Sequence, residues 1–254
     1  MGWDISYHPI SSDEIITLYF DGLEKEDAAQ TLGQLFNVHE FYIEQMRLRF
    51  EEANKIDDSV PFNKGHTFYL AIICGFLRKF HYIRGGAFSF VTDDSYLKSY
   101  VSDWATLVPE RYKTQHFDNK LTDNYCGGVY IANSELVRLK QDYESNEHVR
   151  SALDNLFSHG RIAVFWKAVD EAVDQGLGLL EASEVIEPNP MDLNKSKCLS
   201  NLFNCHTDGP ILYAETAAQQ LSEVMKSSQN QVASTEEKFQ KNKKKGFFHW
   251  LFKR

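Results

Sequence analysis

The stretch Phe68-Tyr69-Leu70-Ala71-Ile72-Ile73-Cys74-Gly75-Phe76-Leu77 leaves no polar face when wound into a helix. A helix that is apolar all round is a buried one, covered on every side by the rest of its chain. At ten residues, with Gly75 inside it, the run is far short of the roughly 20 that a membrane span needs. It therefore predicts a central helix, with Ile72 and Phe76 in the middle of the domain and Cys74 behaving as a small hydrophobe.

Upstream of that helix, Trp3–His8 alternates like a short strand, and Pro9 is expected to end it. Ser11 and Glu14 have the spacing of a capping box, which opens a helix through Leu23 with Ile15, Ile16, Tyr19, Phe20 and Leu23 inward. A second helix is read over about 25–36. Asn37 is placed to cap a third, running to about 54.

Downstream, Gly85-Gly86 turns the chain into Ala87–Val91, read as a strand. Asp93 or Asp94 then caps a helix carrying Leu97, Tyr100, Val101, Trp104 and Leu107. Gly127-Gly128 precedes a short strand, Val129–Ile131. Helices follow at about 134–144, 146–158 and 160–175, with Gly176 as a stop. Leu179–Glu187 reads as a strand, and a last helix is expected from near Tyr213. The pattern implies an α+β fold, mainly helical, with eight or nine helices and a few short strands forming a small sheet against the helical body. The 18 Phe, 12 Tyr and 4 Trp supply a sizeable core, since each large ring buries on the order of 150–250 Å². One globular domain is expected over residues 1–226, then a polar linker over 227–240 and a basic-aromatic tail over 241–254.

Charge divides the chain. The segment 238–254 holds seven of the 27 basic side chains and none of the 36 acidic ones, leaving 20 against 36 over 1–237, a net of −16. An acidic body repels nucleic acid and suits a basic protein partner. Nucleic acid is therefore not expected as a ligand. The amino-terminal residues lack a basic segment followed by an apolar one, so no secretion signal is expected. A cytoplasmic protein is the consequent expectation.

The tail joins Lys243, Lys244 and Lys245 to Phe247, Phe248, Trp250, Leu251 and Phe252, and ends on Lys253 and Arg254. Projected as a helix, Phe247, Phe248 and Leu251 cluster, while His249 and Lys253 lie opposite. That is the composition of a segment that lies in an anionic membrane surface; the competing reading packs it on its own domain. The segment resembles the short carboxy-terminal membrane-targeting helices of Min-system cell-division ATPases. The resemblance implies peripheral attachment to the inner face of the cytoplasmic membrane.

Residues 188–210 show no periodicity and are bounded by Pro188 and Pro190. They carry Asn189, Asp192, Asn194, Asn204, His206 and Asp208, a set suited to a loop held by side-chain bonds to its own backbone. Such a loop is expected to lie on the surface and to border the main binding site. Cys198, Cys205, His206 and Asp208 are metal-ligand types, but Cys-x6-Cys-His is not a zinc spacing, and no metal or cofactor is expected. Two readings of function remain. One is a non-enzymatic binding protein. The other is a hydrolase using Cys205, His206 and Asp208, or Cys126 paired with His116 or His159.

The run Gly176-Leu177-Gly178-Leu179-Leu180-Glu181-Ala182-Ser183-Glu184-Val185-Ile186-Glu187-Pro188-Asn189-Pro190, together with the opening Met1-Gly2-Trp3-Asp4-Ile5-Ser6-Tyr7-His8-Pro9, is similar to an uncharacterised family of bacterial cytosolic proteins associated with the immunity partners of interbacterial toxins. The likeness covers the two ends of the body. It implies neutralisation of a toxin by direct binding and assigns no residue a catalytic role.

Overall fold

The structure, a computed structural model, describes residues 3–227. Asp4–Ile10 (β1) is buried along its whole length. The helices α1 (12–23), α2 (Ala28–Leu35), α3 (Glu40–Ala53) and α4 (His66–Leu77) come next, followed by β2 (His81–Arg84) and the short α5 (Ser95–Lys98). Then come β3 (Gly127–Ile131), α6 (Asn133–Ser145), α7 (Glu147–Leu156), α8 (Arg161–Asp174) and β4 (Gly178–Ser183). A small hairpin-like pair, β5 (Ile186–Glu187) and β6 (Lys197–Cys198), precedes α9 (208–227). The fold is mainly helical α+β. No helix among the described residues is long and apolar enough to cross a membrane.

The four main strands form one antiparallel sheet in the order β2-β1-β4-β3. The alternation of side chains across a strand splits its residues between two cores. Tyr130, Leu180 and Ala182 pack toward α4, whose residues are all buried except Tyr69. Ile5, Tyr7, Val129, Ile131 and Leu179 pack toward Phe165 and Val169 of α8. The central helix read from residues 68–77 thus covers one face of the sheet, and α8 covers the other.

Several local readings change, each for a visible reason. Pro9 does not end β1. The strand β2 stops opposite Tyr7, so beyond that point β1 needs no ladder bonds on that side, and proline is tolerated. The capping box at Ser11 and Glu14 is present, but Ile15–Phe20 winds as a π-helix. The wider turn brings Leu18 inward and leaves Ile16 only partly buried. Asn37 takes a positive φ after α2, and His39 caps α3 instead, accepting from the Phe41 amide.

Residues 87–91 do not form a strand. The Phe88 amide donates to Tyr7 Oη and the Ser89 amide to Glu181 Oε2, so side chains take the place of a ladder and Phe88–Val91 closes as a 3₁₀ turn. Asp94 caps α5, but that helix ends at Lys98, because the chain then extends to let the Ser102 amide donate to the Tyr130 carbonyl. The 179–187 strand is cut in two at Glu184, whose φ is +59° and whose amide donates to the Asp4 carbonyl.

Glu181 is a carboxyl group inside this core. Its Oε2 lies 3.1 Å from Tyr7 Oη and 3.2 Å from the Ser89 amide, while its Oε1 has no partner among the described residues. A Cβ at Gly128 would run into that Oε1, so a larger residue there would have to displace the Glu181 carboxyl. Burial pushes Glu181 up to about 7 from an ordinary value of 4.5.

Two outcomes follow from this core. Ile72→Ala should lower the unfolding free energy in urea by about 2–5 kcal/mol, the cost of a buried cavity. For Glu181, the folded state holds the proton more tightly than the unfolded chain. Its contribution is therefore fully present below about pH 4.5 and is lost as pH rises through 7. The stability of the wild type relative to Glu181→Gln should then fall by on the order of 3 kcal/mol between pH 4 and pH 8. A pH-independent gap between the two would show that Glu181 is not the titrating group.

Candidate functional site: a histidine–glutamate clamp beside a cationic cavity

The outer edge of the sheet is β2, and the chain returns to it late. The Phe80 amide donates to the Asn204 carbonyl and the His206 amide to the Phe80 carbonyl, which extends the sheet edge by one parallel bridge. The helix α9 then starts against the strand. Gly209 approaches Tyr82 so closely that a Cβ there would strike the Tyr82 carbonyl oxygen. This return places the end of the 188–207 loop over α8.

Three side chains meet there from three elements. His81 of β2 points to the α8 face of the sheet, and its Nε2 lies 2.8 Å from Glu171 Oε2. His206 reaches the same oxygen at 2.9 Å from the loop side. The two imidazoles stack with centroids 4.1 Å apart and planes 18° apart. An ionised carboxylate only accepts, so each Nε2 carries the proton and donates to it. The Nδ1 of His81 is buried and has no partner among the described residues. Burial lowers the His81 pKa, against the opposing pull of Glu171. Burial alone would raise Glu171, but its bond to His81 and the electrostatic pull of the two imidazoles hold it below the usual range. Nearby, Asp208 pairs with Lys167, which keeps its carboxyl low.

The ligand atoms of His81, Glu171 and His206 lie within 4.8 Å of one another, close enough to be gathered by one divalent ion. Both Nε2 atoms are already directed at one point, Glu171 Oε2, each at hydrogen-bond distance. As it stands, the arrangement is a hydrogen-bonded clamp that fastens the loop to α8.

Beside the clamp, a cavity of about 340 Å³ opens between β2, α8 and α9. Val164 and Arg161 line it from α8, about 10 and 15 Å from Glu171 along the helix axis. Tyr82, Arg84, Leu212 and Tyr213 contribute from the other two elements.

The residues singled out from the sequence divide into groups. Asn189 Oδ1 accepts from the Met191 and Asp192 amides, and Asp192 Oδ1 from the Asn194 amide, so these three shape the loop itself. Asn204 donates to the Gly75 and Phe76 carbonyls and pins the loop to α4. His206 belongs to the clamp, and Asp208 stands next to it. Cys198 and Cys205 do not join them. Burial pushes both thiols up, Cys198 to about 11. Cys126 is enclosed, with Sγ 2.7 Å from the Asp123 carbonyl and 3.7 Å from Ser183 Oγ, and no histidine among those contacts. His116 bonds Asp118, while His159 lines the cavity. The membrane-binding set, Lys243, Lys244, Lys245, Phe247, Phe248, Trp250, Leu251, Phe252, Lys253 and Arg254, lies outside the described residues.

Sequence reasoning missed His81, Glu171, Arg84 and Arg161 as site residues. One signal was available on α8: Arg161, Val164, Lys167 and Glu171 recur at helical spacing along the border of the buried stripe. No family model, curated protein or solved structure matches the chain.

If the clamp holds the loop, Glu171→Ala should leave His81 buried without its acceptor. The expected cost is about 1–3 kcal/mol. Hydrogen exchange of the His206 amide should accelerate with it, while amides of α4 keep their protection.

Proposed function

We propose that this chain is a non-enzymatic binding protein that engages a basic protein partner through an apolar groove beside the 188–207 loop. The observation that carries the reading is a pair of exposed phenylalanines held on fixed backbone. Phe203 is 76% exposed and Phe41 is 60% exposed, and both line a groove of about 560 Å³ with Phe36, Val38, Tyr42 and Phe76. The backbone that carries Phe203 is held in place. Its turn is capped by Asn201, whose side chain accepts from the Phe203 amide, and is tied to α4 through Asn204. Ser200 Oγ adds a buried bond to the Ile72 carbonyl.

Burying one such ring is worth about 1.5–3 kcal/mol. The molecule gains nothing from leaving two of them in water, whereas a partner would. Pre-fixed aromatic anchors are also the commonest carriers of interface energy. The charge supports a basic partner: residues 3–227 carry 20 basic and 34 acidic side chains, a net of −14. Such a field speeds encounter with a cation and leaves the groove to supply the grip. The enclosed or raised thiols of Cys126, Cys198 and Cys205 favour binding over thiol hydrolysis. Neutralisation of a toxin is the form of binding that the likeness of the two ends of the body implies. The 241–254 tail would add attachment to an anionic membrane.

The test is capture from the proteins of the source cells by the full chain and by a Phe41→Asp, Phe203→Asp double variant. A partner of basic composition should be retained by the first and weakened at least tenfold for the second. Salt should slow its association more than its release. A partner held equally by both proteins would overturn the assignment of the groove.

A further inference from the structure

The cavity between β2, α8 and α9 has in its wall a cation that no described residue compensates. Arg84 Nη1 lies 2.6 Å from Asp4 Oδ2, and its guanidinium stacks over the Tyr213 ring, so its charge is already met. Arg161 is different. Its Nε donates to the Ser158 carbonyl at 2.7 Å, Nη1 to the Arg84 carbonyl at 2.8 Å, and Nη2 to Ser158 Oγ at 2.9 Å. All three acceptors are neutral, and no carboxylate among the described residues pairs with it. A guanidinium has five N–H groups, so one on each Nη is left over.

Arg161 is half-buried, and burial lowers its pKa. Desolvating a cation is costly unless an opposite charge faces it. The chain has a surplus of acids with which to supply one, yet none of the described residues places one here. The rest of the lining is apolar or aromatic over much of its surface, from Ile83, Val164, Leu212, Tyr82 and Tyr213. The volume is at the lower end of small-molecule sites.

We propose that this cavity binds a small organic monocarboxylate. The carboxylate would meet the two free N–H groups of Arg161, and an apolar body would lie against Val164, Leu212 and Tyr213. One unmatched guanidinium calls for one negative charge. A planar fork pairs with a planar carboxylate by two parallel hydrogen bonds. The cavity shares no lining residue with the Phe41–Phe203 groove, so the two sites stand or fall separately.

Octanoate is a suitable probe, with 1-octanol as its uncharged counterpart, titrated calorimetrically into the full chain. Octanoate should bind at least tenfold more tightly than the alcohol. Arg161→Met should remove that preference and leave octanol binding as it was. Thr216→Trp fills the cavity from α9 while leaving the Arg161 side chain in the sequence, and should exclude both. Equal affinity for acid and alcohol, or no octanoate binding in the millimolar range, would overturn the proposal. So would octanoate binding that survives Thr216→Trp, which decides the matter if Arg161→Met fails to fold.

Discussion

The four-stranded sheet is covered by α4 on one face and by α8 on the other, and this lack of a wet face governs the molecule. A sheet with one solvated side can carry polar residues there at no cost. Here every polar group on β1, β2 and β4 has to find its partner inside. Tyr7 serves three neighbours, the Gly86 carbonyl, the Phe88 amide and Glu181. Asp4 takes the Tyr82 hydroxyl at 2.5 Å as well as Arg84. His8 stacks on Phe80 and bonds Ser6 Oγ, and burial pulls its pKa down to about 3, so it stays neutral.

Where partners run short, burial favours the neutral form. Glu181 Oε1, His8 Nδ1 and His81 Nδ1 are buried without a bond among the described residues. An unmet lone pair on a neutral imidazole or a protonated carboxyl costs far less than an unmet charge. The directions agree: burial raises Glu181 and lowers both histidines. Apolar packing on the two faces, from α4 and α8, outweighs these local losses, because each large side chain placed there recovers about 1.5–3 kcal/mol.

How much of this was legible depended on whether a residue's role is local. The run 68–77 announces its burial without reference to any partner, and the Ser11–Glu14 box needs only three residues of spacing. Residues 87–91 misled because their amides are satisfied by Tyr7 and Glu181, 81 and 92 residues away. The clamp was hidden for the same reason. Glu171 is 90 residues from His81 and 35 from His206, and no motif spans such distances. His206 was singled out within an irregular loop, but its partners were not. Phe203 was obscured by the asparagines around it, although those asparagines are what fix it in the open.

The edge of the sheet explains why the groove and the cavity occur on one segment. An uncovered β2 edge would offer unpaired backbone groups for association. The chain closes it between Asn204 and Gly209, and this short stretch is tied at three points: Asn204 to α4, His206 to Glu171, and Gly209 against the Tyr82 carbonyl. Asn204 borders the groove and Gly209 borders the cavity. Five residues span at most about 18 Å, so the two hollows share one short wall whose middle is the clamp. With both imidazoles on a single carboxylate oxygen, that wall cannot slide along α8 without breaking a charge-assisted bond. The separation of groove and cavity is therefore set by the same short stretch that closes the sheet edge.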